Sequence, residues 1–218
     1  MQTQKLFTFL KKIKSNNNRE WFEIHKKEYL ECKKELEIFC KDLLPGLQLF
    51  DKTLRDAELK GYIFRIYRDA RFAKGKPYKE HFGLLFLRGG KPNFHSFGGY
   101  YINIQSNNNF IVAGAYRPES AWLSAIRDGI SKDSLELRRI LKTLEKKNLS
   151  LQGEKLKTAP RGFSRDHKDI DLLRYKNFFV IHHFTNEEVL NKDFILNIAS
   201  VCKKMYPLNE WLNGFVGK

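Results

Sequence analysis

Apolar side chains recur at intervals of three and four residues along the first part of the chain, which is the period of an amphipathic helix. This pattern predicts a short helix over residues 3–15 and a long helix over residues 19–44. The pair Pro45–Gly46 is expected to end the long helix, because proline lacks the amide hydrogen that a helix interior needs.

Apolar and polar side chains begin to alternate at Tyr62, and this two-residue period is typical of a strand with one buried face. The alternation predicts strands at residues 62–67, 84–88, 100–105 and 110–116. The last two flank Ser106–Asn109 and are predicted to form a β-hairpin with a longer loop. A further strand is predicted over residues 178–184.

The helical period returns after the predicted hairpin, over residues 119–130 and 135–146. Thr185 and Glu188 have the spacing of a capping box and predict the start of the C-terminal helices. Pro207 is expected to interrupt those helices.

The order of helices, then strands, then helices indicates an α+β fold rather than a doubly wound parallel sheet. We expect an antiparallel sheet, roughly residues 62–117 plus 178–184, packed by the N-terminal and C-terminal helices. A chain of 218 residues, 42% of them hydrophobic, is long and apolar enough for a buried core, which excludes a disordered protein. One domain over residues 1–218 is the expected organisation.

The three cysteines, Cys32, Cys40 and Cys202, favour a reducing compartment, because disulfide frameworks use even and denser cysteine sets. Cys32 and Cys40 lie in one predicted helix, separated by roughly 12 Å of rise. A disulfide allows only about 7 Å. No apolar run approaches the ~20 residues of a membrane-spanning helix, and the first residues lack the features of a signal peptide. We therefore expect a soluble, cytoplasmic protein without membrane contact.

The formal net charge of +15 arises from 40 lysine and arginine residues against 25 acidic residues. Scattered lysines on a solvated surface explain such a charge without any function. A functional charge is instead clustered, since attraction of an anionic partner depends on a local field.

The densest basic segment is residues 64–83, which read FRIYRDARFAKGKPYKEHFG. Its basic residues, with one just before it, are Lys60, Arg65, Arg68, Arg71, Lys74, Lys76 and Lys79. Guanidinium groups bind carboxylates and phosphates through paired hydrogen bonds, so this segment favours an anionic ligand. The predicted ligand-binding residues here are Arg65, Arg68, Arg71, Tyr78 and Lys79.

Asp69 and His81 are the candidate catalytic residues of this segment. Asp69, between Arg68 and Arg71, is placed either to hold their guanidinium groups or only to neutralise them on a solvated face. His81 is the candidate general acid or base, because the ordinary pKa of histidine lies near neutrality. A structural hydrogen bond is the alternative role of His81.

A second polar segment is residues 160–176, which read PRGFSRDHKDIDLLRYK. His167 is a candidate for proton transfer there. Arg161, together with Arg127 from an earlier helix, is expected to reach the same ligand as the arginines of the first segment. The acidic residues match neither zinc-site nor EF-hand spacing, so no metal is predicted. Asp169 is more simply explained as the N-cap of a short helix.

Several segments resemble a widespread, mostly bacterial family of uncharacterised proteins that is known only as a domain of unknown function. The resemblance covers nearly the whole chain, and its most specific motifs are FRIYRDARF and PYKEHFG. Further resembling segments are NNREWF, GYY, GAYRPES, IRDGI, KTAPRGFSRDHKDIDLLRYKNF and PLNEWL. The resemblance implies one α+β domain and implies no reaction. At Lys74–Gly75–Lys76 the chain is shorter than the family pattern and lacks its acidic residue, which argues against a carboxylate-dependent step there.

Three functions remain open. Our leading hypothesis is binding of a phosphate- or carboxylate-bearing ligand through the Arg, Tyr, Lys and His side chains named above. The alternative is nucleic-acid binding through the basic segment 60–81, since basic and aromatic residues are interleaved there. The third is a regulatory or protein-interaction module without catalysis, in which the arginines are paired inside the protein. The sequence identifies no cofactor, reaction or oligomeric state.

Overall fold

The computed structural model describes residues 3–55, 61–69, 71, 73 and 75–217. Lys60 and Lys74, two of the basic residues named above, lie outside the described residues. Within the described residues the chain forms eight α-helices and four β-strands, which confirms the predicted α+β class. The helices are α1 (Thr3–Ser15), α2 (Arg19–Ile24), α3 (Lys26–Gln48), α4 (Ser120–Lys132), α5 (Leu135–Glu145), α6 (Ile170–Leu173), α7 (Asn186–Leu190) and α8 (Phe194–Asn213). The strands are β1 (Phe82–Phe86), β2 (Gly99–Ile104), β3 (Asn109–Ala115) and β4 (Phe178–Phe184).

The strands form one antiparallel sheet in the order β1-β2-β3-β4, so each strand pairs with its neighbour in sequence. The register places Tyr100 opposite Ala113 and Tyr101 opposite Val112. Since side chains alternate along a strand, these two pairs point to opposite faces of the sheet. The face that carries Tyr100 is the core face.

The core lies between this face and the helices. Tyr100, Ile111 and Val180 on the core face are fully buried. The Phe9 ring of α1 stacks on Phe82 of β1, with 6.1 Å between the centroids. The C-terminal helix α8 packs on β3 and α3 through an apolar stripe at helical spacing. The buried apolar residues of α8 are Phe194, Ile198, Val201, Cys202, Met205, Leu208 and Leu212.

Short irregular segments flank both outer strands. Next to β1, the Phe64 amide donates to the Gly83 carbonyl at 2.9 Å. Next to β4, the Gln152 amide donates to the Phe179 carbonyl at 2.7 Å. The strand predicted over residues 62–67 is therefore an extended segment, tied to the sheet by isolated bridges rather than by a full ladder.

Two prolines lie inside helices that they were expected to end, and both predictions were wrong. Helix α3 continues through Pro45, and α8 continues through Pro207. Both prolines are exposed, and so are the residues four positions before them, so water can donate the hydrogen bond that each proline cannot. Leu47 and Leu208 beyond the prolines are fully buried, and this packing outweighs the local cost.

Capping side chains mark the starts of two other helices. The side chain of Asn18 caps the start of α2. Thr185 and Glu188 form the predicted capping box at the start of α7. The single helix predicted over residues 19–44 is divided at His25, whose backbone leaves the helical region between α2 and α3.

All three cysteines are buried and free. Burial raises the pKa of the Cys32 and Cys40 thiols to about 12, so both are protonated at neutral pH. In the part of the chain that the structure describes, no helix has the length and apolar character needed to cross a membrane.

Candidate functional site

The extended segment next to β1 carries Phe64 at the centre of a group of cations. The Lys79 ammonium lies 5.4 Å from the centroid of the Phe64 ring, and the Lys91 ammonium lies 5.1 Å from it. Lys79 donates a hydrogen bond to the Arg65 carbonyl at 2.9 Å, and Lys91 donates one to the Ile63 carbonyl. The two lysines therefore bind the backbone on either side of Phe64 in the sequence.

We call this group, defined by Phe64, Arg65, Arg68, Lys79, His81 and Lys91, the Phe64 cluster. Burial, and then the charges of Arg65, Lys91 and Arg68, lower the pKa of Lys79. Burial and the nearby Lys33 lower the pKa of Lys91. Among the described residues, neither ammonium has a carboxylate at ion-pair distance. Apart from Arg68, which lies 4.0 Å from a Glu80 oxygen, the cations of the cluster have no carboxylate at ion-pair distance among the described residues.

His81 lies partly buried beside these cations. Burial, and then the positive charges of Lys79 and Arg68, lower the pKa of His81 to about 4. The imidazole is therefore neutral at pH 7, where it can accept a proton or donate a hydrogen bond. A general acid would need the protonated form, so at pH 7 only the role of a weak base is left, and proton transfer at His81 stays a prediction.

Arg68 and Arg71 are held by different groups. Arg68 Nε donates to the Tyr78 carbonyl at 2.7 Å, and Arg68 Nη2 lies 4.0 Å from a Glu80 carboxylate oxygen. Arg71 donates two side-chain hydrogen bonds to the Asp69 carboxylate, at 3.0 and 2.7 Å. These bonds hold the pKa of Asp69 below its usual range. Asp69 thus holds one of the two guanidinium groups that it was expected to anchor.

Tyr78 lies in the core. It is 2% exposed, and its ring stacks on Phe22 with 4.0 Å between the centroids. Its backbone amide and carbonyl both bond to the Asn17 side chain at 3.0 Å. Its ring is turned away from solvent, so we leave Tyr78 out of the Phe64 cluster.

The second polar segment, residues 160–176, is not joined to the Phe64 cluster by its arginines. Arg127 of α4 donates to the Leu173 and Tyr175 carbonyls, both at 3.0 Å. Arg161 is exposed in the loop. Neither arginine makes a hydrogen bond or an ion pair with a described residue of the Phe64 cluster. The shared ligand site expected for these arginines is therefore not formed through direct contacts.

His167 meets Ser131 of α4 in a geometry that does not activate the serine. The Ser131 hydroxyl lies 3.0 Å from His167 Nε2, while His167 Nδ1 accepts a hydrogen bond from the Asp169 amide at 3.1 Å. Because Nδ1 accepts, the neutral imidazole carries its proton on Nε2 and donates it to the serine oxygen. A general base would need the opposite tautomer. The pair therefore ties the loop to α4, and proton transfer at His167 gains no support here.

Asp169 is buried and accepts three hydrogen bonds on one carboxylate oxygen. Its Oδ1 accepts from the Ser134 hydroxyl at 2.7 Å and from Arg138 Nε and Nη2 at 2.9 and 2.8 Å. Arg138 Nη2 also lies 2.7 Å from an Asp171 oxygen. Asp169 directly precedes α6, as predicted, but its side chain makes no capping bond. We call Ser134, Arg138, Asp169 and Asp171 the Asp169 cluster.

A cavity of about 680 Å³ borders the Phe64 cluster at Ile63. Helix α3 contributes three lysines to its lining, namely Lys33, Lys34 and Lys41. Lys33 adds to the effect of burial on the pKa of Lys91, but Lys33 itself lies 3.5 Å from a carboxylate oxygen of Glu37, which also lines the cavity, so the positive charge of this lining is partly neutralised. No group of three or more His, Cys, Asp or Glu side chains within the described ranges is arranged to hold a metal ion.

The whole-chain resemblance seen in the sequence is confirmed by a family model, described as conserved hypothetical protein DUF2461, that matches residues 5–211. The chain belongs to this family. Comparison with curated proteins and comparison with solved structures both gave no match. The family description names no activity, so the functional argument depends on the geometry of this chain.

Arg117, in the GAYRPES segment of this family member, has an unusual backbone conformation. Its φ angle of 50° lies in the left-handed region, which costs free energy for a residue other than glycine. The Asn177 side chain accepts from the Arg117 amide at 2.7 Å, and His95 Nδ1 lies 2.9 Å from the Arg117 carbonyl. The Arg117 guanidinium lies 5.4 Å from the centroid of the Tyr116 ring. Strain of this kind persists only where the surrounding structure holds the backbone, as these two hydrogen-bonding partners do here.

Sequence reasoning missed both Lys91 and Arg117. Lys91 stands in a different loop from Phe64, and nothing in its local sequence signals that the two meet. The signal available for Arg117 was its position in a segment that resembles the family, but that resemblance did not indicate a role.

Proposed function

We propose that the protein binds a phosphate- or carboxylate-bearing ligand at the Phe64 cluster. The observation that carries this proposal is the pair of partly buried ammonium groups of Lys79 and Lys91 at one phenyl ring, without a carboxylate partner among the described residues. Partly desolvated cations that repel each other raise the free energy of the ligand-free protein. A bound anion offsets both the lost hydration and the repulsion, so the arrangement favours an anionic ligand.

Arg65 distinguishes this proposal from a regulatory module without a ligand. Such a module predicts that Arg65, Arg68 and Arg71 are all paired inside the protein. Arg71 is bound to Asp69, and Arg68 donates to a backbone carbonyl. The exposed Arg65 side chain has neither a hydrogen bond nor an ion pair with a described residue. Its guanidinium is therefore available to pair with a carboxylate or a phosphate.

Binding of pyrophosphate and of citrate tests the proposal, because these probes carry phosphate and carboxylate groups respectively. Isothermal titration calorimetry at low ionic strength should detect binding of at least one probe to the wild type. Lys79→Gln removes one ammonium from the cluster. It should weaken binding of that probe by about tenfold, which corresponds to one charge-assisted hydrogen bond.

Lys76→Gln is the matched control, because Lys76 lies in the same segment but is paired with Glu80 at 3.2 Å. It should keep the affinity within about twofold of the wild type, as expected for an exposed ion pair. Equal affinities of the wild type and Lys79→Gln would contradict the proposal, and so would the absence of binding of either probe. Thermal melting followed by circular dichroism checks that each variant is folded.

A further inference from the structure

The sheet has a core face and a second face that stays partly exposed, which we call the open face. On the core face, Ile111, Ala113 and Val180 are completely buried. On the open face, the paired residues Val112 and Ile181 are both partly exposed. Contiguous apolar surface that a protein leaves exposed marks a site of interaction.

A row of four aromatic rings crosses the open face and its border. The centroid of Phe64 lies 6.4 Å from that of Phe94, and Phe94 lies 6.0 Å from Tyr116. Tyr116 in turn lies 5.8 Å from Phe179. All four residues are at least partly exposed, and Tyr116 is 39% exposed. We call these four residues the aromatic row.

Tyr101 and Phe110 extend this surface along β2 and β3. The Tyr101 ring lies 5.9 Å from Phe64 and 6.2 Å from Phe110. Gly83 makes room for it, because a Cβ atom at Gly83 would come within 2.7 Å of the Tyr101 hydroxyl oxygen. The aromatic surface is thus continuous from the edge of β1 to β3.

Within the aromatic row, positively charged side chains lie beside Phe64 and beside Tyr116. Lys79 and Lys91 lie near Phe64, and Arg117 lies near Tyr116. The whole chain carries a formal charge of +15. A second copy of the chain would therefore be repelled from this face, whereas a polyanion with flat apolar groups would be attracted to it.

We propose that the open face binds single-stranded nucleic acid, with unpaired bases stacked on the aromatic row and phosphates held by the Phe64 cluster and Arg117. This inference rests on the proposed anion site and names its ligand class. Neighbouring rings of the row are about 6 Å apart and are inclined to one another by 79°, 42° and 66°, so they do not form one flat platform for a stacked strand. Bases that are splayed apart can each stack on one ring, while a duplex keeps its base faces hidden.

Fluorescence anisotropy with a labelled oligonucleotide of about 12 nucleotides tests this inference. The same mixed sequence is used as single-stranded RNA, as single-stranded DNA and as a DNA duplex. The wild type should bind at least one single strand about tenfold more tightly than the duplex, and the stronger of the two identifies the sugar. Its affinity should also fall steeply with salt, because bound phosphates release counterions.

Tyr116→Leu removes one exposed ring of the row, and Tyr67→Leu is its matched control. Tyr67 is 42% exposed, close to the 39% of Tyr116, but its ring contacts Phe22 and Tyr78 instead of the row. Tyr116→Leu should weaken single-strand binding by about tenfold, the effect of losing one stacked base. It should leave pyrophosphate or citrate binding unchanged. Tyr67→Leu should change neither, and Lys79→Gln should weaken both.

The outcomes separate this inference from the anion site. The stacking surface is refuted if the duplex and the single strands bind equally, or if Tyr116→Leu binds the single strand like the wild type. The anion site stands in either case as long as Lys79→Gln loses anion binding. A concentration-dependent dimer that Tyr116→Leu dissociates would assign the open face to a second copy and also overturn the inference. If Tyr116→Leu does not fold, Phe94→Leu makes the same test on the next ring of the row.

Discussion

The Phe64 cluster and the Asp169 cluster both bring charged side chains together, but the structure organises them in opposite ways. In the Phe64 cluster, two ammonium groups lie at one ring without a carboxylate partner among the described residues. In the Asp169 cluster, Arg138 is bound by two carboxylates, one of them buried. Arg138 belongs to α5, outside the segment that it neutralises. Segment composition therefore does not tell whether charges are satisfied internally or left for a partner.

The two clusters should respond to substitution in opposite ways. A change in the Asp169 cluster should lower the free energy of unfolding and leave anion binding intact. A change in the Phe64 cluster should weaken anion binding and leave stability unchanged or slightly higher. Four measurements test this contrast.

Asp169→Asn should have the largest effect on stability. The substitution removes the charge that pairs with Arg138 and accepts from Ser134 in a buried position. Breaking a buried pair of this kind should lower the free energy of unfolding by about 2 kcal/mol, since Arg138 is itself partly exposed. Urea denaturation followed by circular dichroism measures the change.

Asp171→Asn is the control for this substitution, because the Asp171 side chain is 56% exposed. It should cost less than about 1 kcal/mol. Equal losses in the two variants would show that burial of Asp169 does not set the strength of the pair.

Acid unfolding should separate the wild type from Asp169→Asn in a defined pH range. Burial alone would raise the pKa of Asp169, but hydrogen bonds from Ser134 and Arg138 outweigh it and hold the pKa below its usual value. The ionised carboxylate then stabilises the fold fully above about pH 4, and this contribution is lost as the pH falls through the folded-state pKa. The difference in free energy of unfolding should be constant between about pH 7 and about pH 5 and shrink below about pH 4. If the difference already shrinks between about pH 7 and about pH 5, the pKa of Asp169 is not held below its usual value.

His167→Gln tests whether the second segment serves structure or ligand. It disturbs the contacts of His167 with the Ser131 hydroxyl and the Asp169 amide, so the free energy of unfolding should fall by about 1 kcal/mol. Titration calorimetry with pyrophosphate or citrate should give the wild-type affinity. Loss of anion binding in this variant would place His167 at the ligand site after all.

Lys79→Gln without ligand should show the smallest effect, and in the opposite direction. Glutamine keeps an N–H donor for the Arg65 carbonyl but removes a partly buried charge that its neighbours repel, so the Tm should rise by about 1–2 °C at low ionic strength. Added salt should abolish the gain, because it screens the repulsion. Lys76→Gln, which loses an ion pair with Glu80, should show no gain. A lower Tm for Lys79→Gln would show that its ammonium stabilises the fold.

Periodicity predicted the fold class and most of the elements. Strand β4 has the predicted limits, 178–184, because its alternating residues divide between the core face and the open face. Pro45 and Pro207 were misjudged, because the rule against proline assumes that a helix supplies all its own hydrogen bonds. Where one side of a helix is buried and the other is exposed, water on the exposed side replaces the missing donor. Exposure of that kind depends on tertiary packing, which the local sequence does not show.

The candidate site was predictable only where its residues are close in sequence. Arg65, Lys79 and His81 were expected together, and one segment supplies all three. Lys91 comes from the next connection, and Arg117 needs a backbone conformation held by a distant asparagine. Neither feature leaves a pattern in the chain.

Arg127 was predicted to bind the ligand, and this role stays a prediction. Its guanidinium donates to the carbonyl of Leu173, the last residue of α6, and to the carbonyl of Tyr175 beyond the helix. Backbone acceptors are present at every residue, so a sequence cannot show which of them an arginine will find.

The bonds of Phe64 to Gly83 and of Gln152 to Phe179 have a consequence for aggregation. An unprotected edge strand has backbone amides and carbonyls without partners. Another polypeptide can pair with them, and repeated pairing of this kind leads to fibrils. In this protein, other backbone segments bond to part of each outer strand. These segments are too irregular to continue the sheet as further strands. We therefore expect the folded protein to resist cross-β stacking even though its four adjacent strands are rich in apolar residues.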